Sequence, residues 1–171
     1  FDVSSWFYKT NPFNEILEET KTIQRIPSLE EVLIFAKKNT LALNIEIKFN
    51  KKDRLKNEDL RVILEMVKKY NYQNEVIISS FHHKYLKKIK KLDSTFSTAA
   101  LAHERYPKNN VKYLKKLGVD AYHTNHKLAQ KEIIENMIED GIVVNVYTVN
   151  NKEQQKILYG CKVKAIFSDY L

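Results

Sequence analysis

The feature that most constrains this chain is a regular alternation of short apolar segments with amphipathic stretches. Apolar segments of strand length recur about every 20–25 residues, apart from one longer gap early on, and a stretch with helical spacing separates neighbouring segments. The segments with the strand pattern are 43–48, 75–81, 95–101, 119–122, 142–149 and 163–167. Strands joined through helices pair in parallel, so the sequence predicts an α/β fold built from βα units.

The intervening helices carry recognisable start and stop signals. They are predicted at 29–39, 58–70, 83–92, 109–117, 128–140 and 151–159. Ser28 and Glu31 have the spacing of a capping box, and Asn150 or Asn151 caps the last helix. All three glycines (118, 141 and 160) lie where a helix gives way to a strand, the position that uses the left-handed conformation of glycine.

The order of elements fits either an open sheet or part of an eight-stranded barrel. The absence of a glycine-rich phosphate loop argues against the nucleotide-binding versions of the sheet. The length of 171 residues and the apolar content of 43% suit one domain. No run approaches the ~18 apolar residues of a membrane span, so we expect no transmembrane segment. The single cysteine, Cys161, excludes an internal disulfide and slightly favours a reducing, cytoplasmic compartment.

The chain is basic, with a net charge of +8, which could attract phosphate groups. In the densest basic run, 84–91, apolar residues recur at helical spacing and the lysines fill the outer face. No aromatic residues interleave with them as a base-stacking platform would require. The pattern therefore favours a solvated helix face, and we expect no nucleic-acid partner.

The first strand carries charges on one side only. The apolar residues of 43–48 share one face, whereas Asn44, Glu46 and Lys48 share the other. In a half-exposed strand that polar face would meet water, but in a β/α barrel it looks into the interior. A carboxylate at such a strand end suits a hard divalent cation, and a lysine two residues on could hold a phosphate as a point charge.

Three weaker patterns remain as alternatives. His123 and His126 could bind zinc, although two histidines alone are few ligands. Ser79–Ser80 with a histidine and Asp169 could form a triad, but the G-x-S-x-G turn is absent. His82–His83 most simply begins a helix, with proton transfer as the other possibility.

Five segments follow one another in an informative order. They are Ile26–Leu33, Asn44–Lys48, Val76–Phe81, Val144–Asn150 and Ala165–Tyr170. Together they closely resemble the glycerophosphodiester phosphodiesterase family. The resemblance places residues 1–171 in part of a single barrel domain, with residues 1–25 as an aromatic-rich loop leading into it.

The resemblance implies a (β/α)8 TIM-type barrel, of which this chain supplies about six strands. It also implies metal-dependent hydrolysis of glycerophosphodiesters to glycerol 3-phosphate and an alcohol. In that family Glu46 would be a ligand of a divalent metal, Ca2+ or Mg2+, and Lys48 would lie at the phosphate. Tyr147, where the family usually has tryptophan, would line the glycerol pocket, and Phe81 is a further pocket candidate.

The same resemblance places the family's histidine-arginine-glycine motif, paired acidic ligands and second catalytic histidine upstream of Phe1. We therefore expect the chain as given to be an inactive C-terminal portion whose catalytic residues lie elsewhere. Two other functions remain open. One is a non-catalytic, degenerate barrel that binds phosphodiesters or a protein. The other is a related phospholipase-type barrel, in which the aromatic segment 6–13 could touch lipid.

Overall fold

The computed structural model describes residues 25–52, 54–102 and 110–170, in which strands and helices alternate. The predicted loop over 1–25 therefore lies almost entirely outside the described residues. The strands are β1 (Leu43–Glu46), β2 (Val76–Ser80), β3 (Ser97–Ala102), β4 (Ala121–Asn125), β5 (Val143–Tyr147) and β6 (Ala165–Ile166). The helices are α1 (Leu29–Lys38), α2 (Asn57–Lys69), α3 (His83–Leu92), α4 (Asn110–Leu117), α5 (Lys131–Glu139) and α6 (Lys152–Gly160).

Contacts divide the chain into two compact units, residues 1–40 and 41–171. Helix α1 belongs to the first unit, and its start has the predicted capping box. The backbone N–H of Glu31 donates to Ser28 Oγ over 3.3 Å, and the backbone N–H of Ser28 donates to Glu31 Oε2 over 2.8 Å. The guanidinium of Arg25 pairs with the same carboxylate, and the bond holds the pKa of Glu31 down at about 2.

The second unit contains one parallel sheet in which every strand pairs with its neighbours in sequence, in the order β1 to β6. Six such strands alternating with helices form a curled half-barrel, which confirms the predicted α/β class and βα repeat. The ladder continues beyond the first strand, since the N–H of Ile47 donates to the carbonyl oxygen of Ser79 over 2.8 Å. All carboxyl ends of the strands therefore lie at one edge of the sheet.

The fourth strand begins two residues later than the sequence predicts. Its first residue is Ala121 rather than Val119. Asp120 lies beside the end of the ladder instead, where its carboxylate accepts the backbone N–H of Thr98 over 2.7 Å. The backbone N–H of Asp120 also donates to the carbonyl oxygen of Thr98 over 2.9 Å, so backbone and side chain together join the entry of β4 to β3.

The helices pack their apolar stripes inward. In α3 the buried residues are Tyr85, Leu86 and Ile89, and the lysines of the predicted basic run lie on the other side. Burying a side chain of this size contributes about 1.5–3 kcal/mol. None of the helices in the described part of the chain is long and apolar enough to cross a membrane.

Two of the three glycine predictions hold. Gly118 and Gly141 have φ angles of +75° and +81°, the left-handed conformation expected after a helix. The prediction for Gly160 is wrong, because α6 runs through that residue and Lys162 takes the left-handed position, with φ of +62°. At the other end of α6, Asn151 is the cap, accepting the N–H of Gln154 over 2.9 Å.

Candidate active site

A pocket of about 370 Å³ opens at the carboxyl ends of the strands. Its lining comes from the ends of five strands: Asn44, Glu46, Lys48, Phe81, Leu101, Tyr147, Thr148 and Phe167. The structure thus brings together all four residues predicted from the sequence, namely Glu46, Lys48, Phe81 and Tyr147. The polar face of the first strand lines this pocket, so it is not an ordinary solvent face.

The charged side of the pocket comes from β1 alone. Lys48 Nζ lies 2.6 Å from Glu46 Oε1, an ion pair that lacks hydrogen-bond geometry. The side chain of Glu46 is 26% exposed, whereas that of Lys48 is 77% exposed. The carboxylate is therefore held in the pocket, while the ammonium group remains able to move away from it into solvent.

The backbone between these two charges is fixed by β2. The buried hydroxyl of Ser80 donates to the carbonyl oxygen of Ile47 over 2.7 Å. The hydroxyl oxygen of Ser80 also accepts the backbone N–H of His82 over 3.0 Å. Because Ile47 lies between Glu46 and Lys48, its bond to Ser80 sets where both side chains leave the sheet.

The opposite side of the pocket is aromatic. The ring of Tyr147 stands nearly perpendicular to Phe81, with centroids 6.3 Å apart, and to Phe167, with centroids 6.5 Å apart. Its hydroxyl donates to the carbonyl oxygen of Ala102 over 2.6 Å. Burial, with a smaller contribution from the negative charge of Glu46, raises the pKa of Tyr147 to about 12. The phenol is thus neutral, and its ring is anchored in place.

A buried polar pair lies behind the aromatic wall. His123 and Asn145 are paired across β4 and β5 on the same face as Leu101, which lines the pocket. The amide Nδ2 of Asn145 donates to Nε2 of His123 over 3.0 Å, so the neutral ring carries its proton on Nδ1. Burial lowers the pKa of His123 to about 4, and its ring centroid lies 5.2 Å from that of Phe167.

The alternative constellations are not assembled among the described residues. His123 is enclosed within β4 and His126 begins the following 3₁₀ turn, and among the described residues neither belongs to a group of three or more side chains that could hold a metal ion. The hydroxyl of Ser80 bonds to a backbone carbonyl, and Asp169 accepts the side-chain amide of Asn150 over 2.8 Å. No serine–histidine–aspartate relay results.

The two histidines after β2 begin α3, as predicted. His82 stacks on Phe49 with ring centroids 4.2 Å apart, and burial lowers its pKa. His83 donates from Nε2 to the carbonyl oxygen of Leu101 over 2.9 Å and accepts the hydroxyl of Tyr113 at Nδ1 over 2.6 Å. Both side chains are engaged outside the pocket lining, which argues against proton transfer by either.

Within the described part of the chain, Glu46 is the only carboxylate that lines this pocket. Among the described residues, no group of three or more His, Cys, Asp or Glu side chains could hold a metal ion. A hard divalent cation takes about six oxygen ligands or more. The described residues of the pocket therefore supply fewer ligands than such a cation takes.

Four residues of the lining were not singled out from the sequence: Asn44, Leu101, Thr148 and Phe167. The pattern that would have identified Phe167 is strand register. Asn145 pairs with Ala165, so Tyr147 and Phe167, each two residues further on, lie side by side on the same face. Register depends on pairing between strands, which a single sequence does not display.

The sequence of this chain is similar to those of known phosphodiesterases. The model of the glycerophosphoryl diester phosphodiesterase family matches residues 3–171. A glycerophosphodiester phosphodiesterase from Bacillus altitudinis is 32% identical over 156 residues, covering 90% of this chain and 62% of that protein.

Two solved structures share the fold. A phosphodiesterase from Oleispira antarctica, in complex with the product sn-glycerol-3-phosphate, has a TM-score of 0.76 at 22% identity, over 85% of this chain and 58% of that one. A glycerophosphodiester phosphodiesterase from Parabacteroides distasonis has a TM-score of 0.72 at 23% identity, over 87% and 62% of the two chains. The structural relatives are TIM barrels.

The chain spans about three fifths of the length of the curated relatives it matches. Within that span the family model covers nearly every residue, and the strand ends that it includes build one pocket. The chain belongs to the glycerophosphoryl diester phosphodiesterase family.

Proposed function

We propose that the protein containing this chain is a phosphoric diester hydrolase that cleaves glycerophosphodiesters to glycerol 3-phosphate and an alcohol. The observation that carries the proposal is the pocket itself, which has a volume of about 370 Å³. Glu46 and Lys48 lie on one side of it and the aromatic wall lies on the other. Such a site offers charge to a phosphate and apolar surface to the carbons of glycerol. Family membership supports the same activity.

In this proposal Lys48 binds the phosphate. Its side chain is mostly exposed, so the ammonium group has room to move away from the less exposed carboxylate of Glu46. Lys48 can therefore turn from Glu46 towards an incoming phosphate oxygen. Tyr147 and Phe81 would pack against the glycerol carbons, with Phe167 beside them.

We also propose that Glu46 is one ligand of a divalent metal, Ca2+ or Mg2+, since members of this family generally depend on a divalent metal. A bound cation would neutralise charge on the phosphate. The remaining ligands and the proton-transferring histidines would come from outside the described residues. The 171-residue chain alone would then be inactive.

The test is release of glycerol 3-phosphate from glycerophosphocholine and glycerophosphoethanolamine, with and without chelator. Two proteins are compared, the 171-residue chain and the product of the whole reading frame that contains it. We expect release by the longer product only, lost on chelation. Binding of these diesters without release would support the non-catalytic alternative, and a preference for acylated lysolipids would support the phospholipase-type one.

Replacing Glu46 by glutamine tests the metal role. Glu46→Gln keeps the shape of the side chain but removes its charge, so we expect a loss of activity of roughly 100-fold or more that excess metal partly restores. Glu65→Gln, on the exposed side of α2, is the matched control and should be unchanged. Full activity in Glu46→Gln would remove this residue from the metal site.

A further inference from the structure

Two neighbouring helices of the second unit carry many lysines and no acidic residue. Helix α3 has ten residues and α4 has eight, and neither contains Asp, Glu or Arg. Two of their lysines are neutralised, Lys90 by Asp120 over 2.7 Å and Lys115 by Asp140 over 2.6 Å. The other six have no acidic partner among the described residues: Lys84, Lys87, Lys88, Lys91, Lys112 and Lys116. We call these six the lysine face.

Side-chain contacts bring the two helices together. The hydrogen bond of 2.6 Å between His83 and Tyr113 joins α3 to α4. Lys87 follows His83 by four residues, and Lys116 follows Tyr113 by three, so both lie along the side of their helix that meets the other. Lys87 and Lys116 therefore connect the lysines of α3 with those of α4.

The high lysine content of the chain does not by itself explain why α3 and α4 lack acidic residues. Helices α2 and α5 contain acidic as well as basic residues, and in α5 Lys131 pairs with Glu135. The sequence of α3 by itself is compatible with a solvated face. The structure adds α4 beside it, a helix that is also basic and has no acidic residue within its own bounds. Like charges gathered in this way repel one another, and a negatively charged partner relieves that repulsion.

We propose that the lysine face docks on an anionic phospholipid bilayer. Lysine acts as a point charge without the forked geometry of arginine, which suits a fluid layer of phosphate headgroups. The aromatic residues of the two helices are not available for stacking on nucleic-acid bases. Tyr85 is buried and accepts the backbone N–H of Leu55 over 3.0 Å, and Tyr113 bonds to His83.

Helix α3 begins two residues after Phe81, which lines the pocket. Along α3, Lys84 is therefore nearest to the pocket end of the sheet, and Lys91 lies about 10 Å further along the helix. The inference does not rest on the proposed function, because membrane binding is measured without substrate and without turnover.

The experiment is co-sedimentation of the purified protein with vesicles. One set contains phosphatidylcholine with about 30 mol% phosphatidylglycerol, and the other contains phosphatidylcholine alone. We expect binding to the anionic vesicles only, lost between about 0.05 and 0.5 M NaCl because salt screens the attraction. The triple variant Lys87→Gln, Lys91→Gln, Lys116→Gln should bind roughly 100-fold more weakly.

A matched control removes the same charge elsewhere. Lys152→Gln, Lys156→Gln, Lys164→Gln changes three exposed lysines away from α3 and α4 and should keep most of the binding. Thermal melting confirms that both variants fold. Absence of binding, equal binding to neutral vesicles, or an equal loss in both triple variants would overturn the proposal. Tighter binding to a DNA or RNA duplex than to anionic vesicles would overturn it as well.

Discussion

At Tyr147 a single side chain serves two structural purposes. Its ring is the centre of the aromatic wall, between Phe81 and Phe167. Its hydroxyl reaches from β5 across β4 to the carbonyl oxygen of Ala102 on β3. The phenol group thus anchors the ring on which the aromatic wall is centred.

We expect Tyr147→Phe to destabilise the protein by about 1 kcal/mol, because it removes one hydrogen bond and no packing surface. Urea unfolding monitored by circular dichroism measures the change. Tyr159→Phe is the matched control, since that side chain is 53% exposed on α6, and its substitution should have almost no effect. An equal effect of the two substitutions would show that the bond to Ala102 contributes nothing.

His123 makes stability depend on pH. Burial lowers its pKa to about 4 in the folded state, whereas the unfolded chain has the ordinary value of 6.5. Between these values the unfolded chain binds more protons, so stability is full above about pH 6.5 and falls as the pH drops towards 4. A pKa shift of this size corresponds to a change of about 3 kcal/mol in the free energy of unfolding.

The variant His123→Gln removes this titration but keeps a polar side chain beside Asn145. We expect its free energy of unfolding to change less with pH than that of the parent protein between about pH 6.5 and 4. The comparison cancels the contribution of His82, which is present in both proteins. Parallel pH profiles would show that His123 is not the group responsible.

At the level of elements, Asp120 connects three of them. Its carboxylate accepts the buried N–H of Thr98 on β3 over 2.7 Å and pairs with Lys90 of α3, and its own backbone leads directly into β4. Asp140 also pairs with a lysine, Lys115, but that pair lies on the surface.

These two aspartates allow a controlled comparison. Asp120→Ala leaves the N–H of Thr98 buried without its acceptor, and we expect a loss of about 1–3 kcal/mol in unfolding free energy. Asp140→Ala removes only an exposed ion pair, which contributes about 1 kcal/mol or less. Chemical denaturation of both variants measures the difference. A larger loss for Asp140→Ala would contradict the role given to Asp120.

At the scale of the whole molecule, the order of helices and strands along the chain could be predicted from the sequence. The register in which neighbouring strands pair could not. The helix and strand periods and the capping residues gave the βα repeat, because these signals are local. The four predicted pocket residues follow from the polar face of the first strand and from the family resemblance. Phe167 and the His123–Asn145 pair depend on register, which arises only when strands meet.

The lysine face was also beyond prediction from the sequence. The run over 84–91 was visible, but its neighbour α4 became relevant only once His83 and Tyr113 were in contact. Similarly, Gly160 follows the pattern of the other glycines, yet α6 continues for another residue and the reversal falls at Lys162. Local rules decide which residue types suit a turn, and packing decides which of them is used.

The two sides of the pocket have separate origins in the chain. Both charges come from β1, whereas the aromatic wall is contributed by the ends of β2, β5 and β6. Natural drift or laboratory evolution can therefore enlarge or reshape the wall at Phe81 and Phe167 without altering the strand that carries Glu46. The apolar shape of the pocket and its charge can thus change independently, because they lie on different strands.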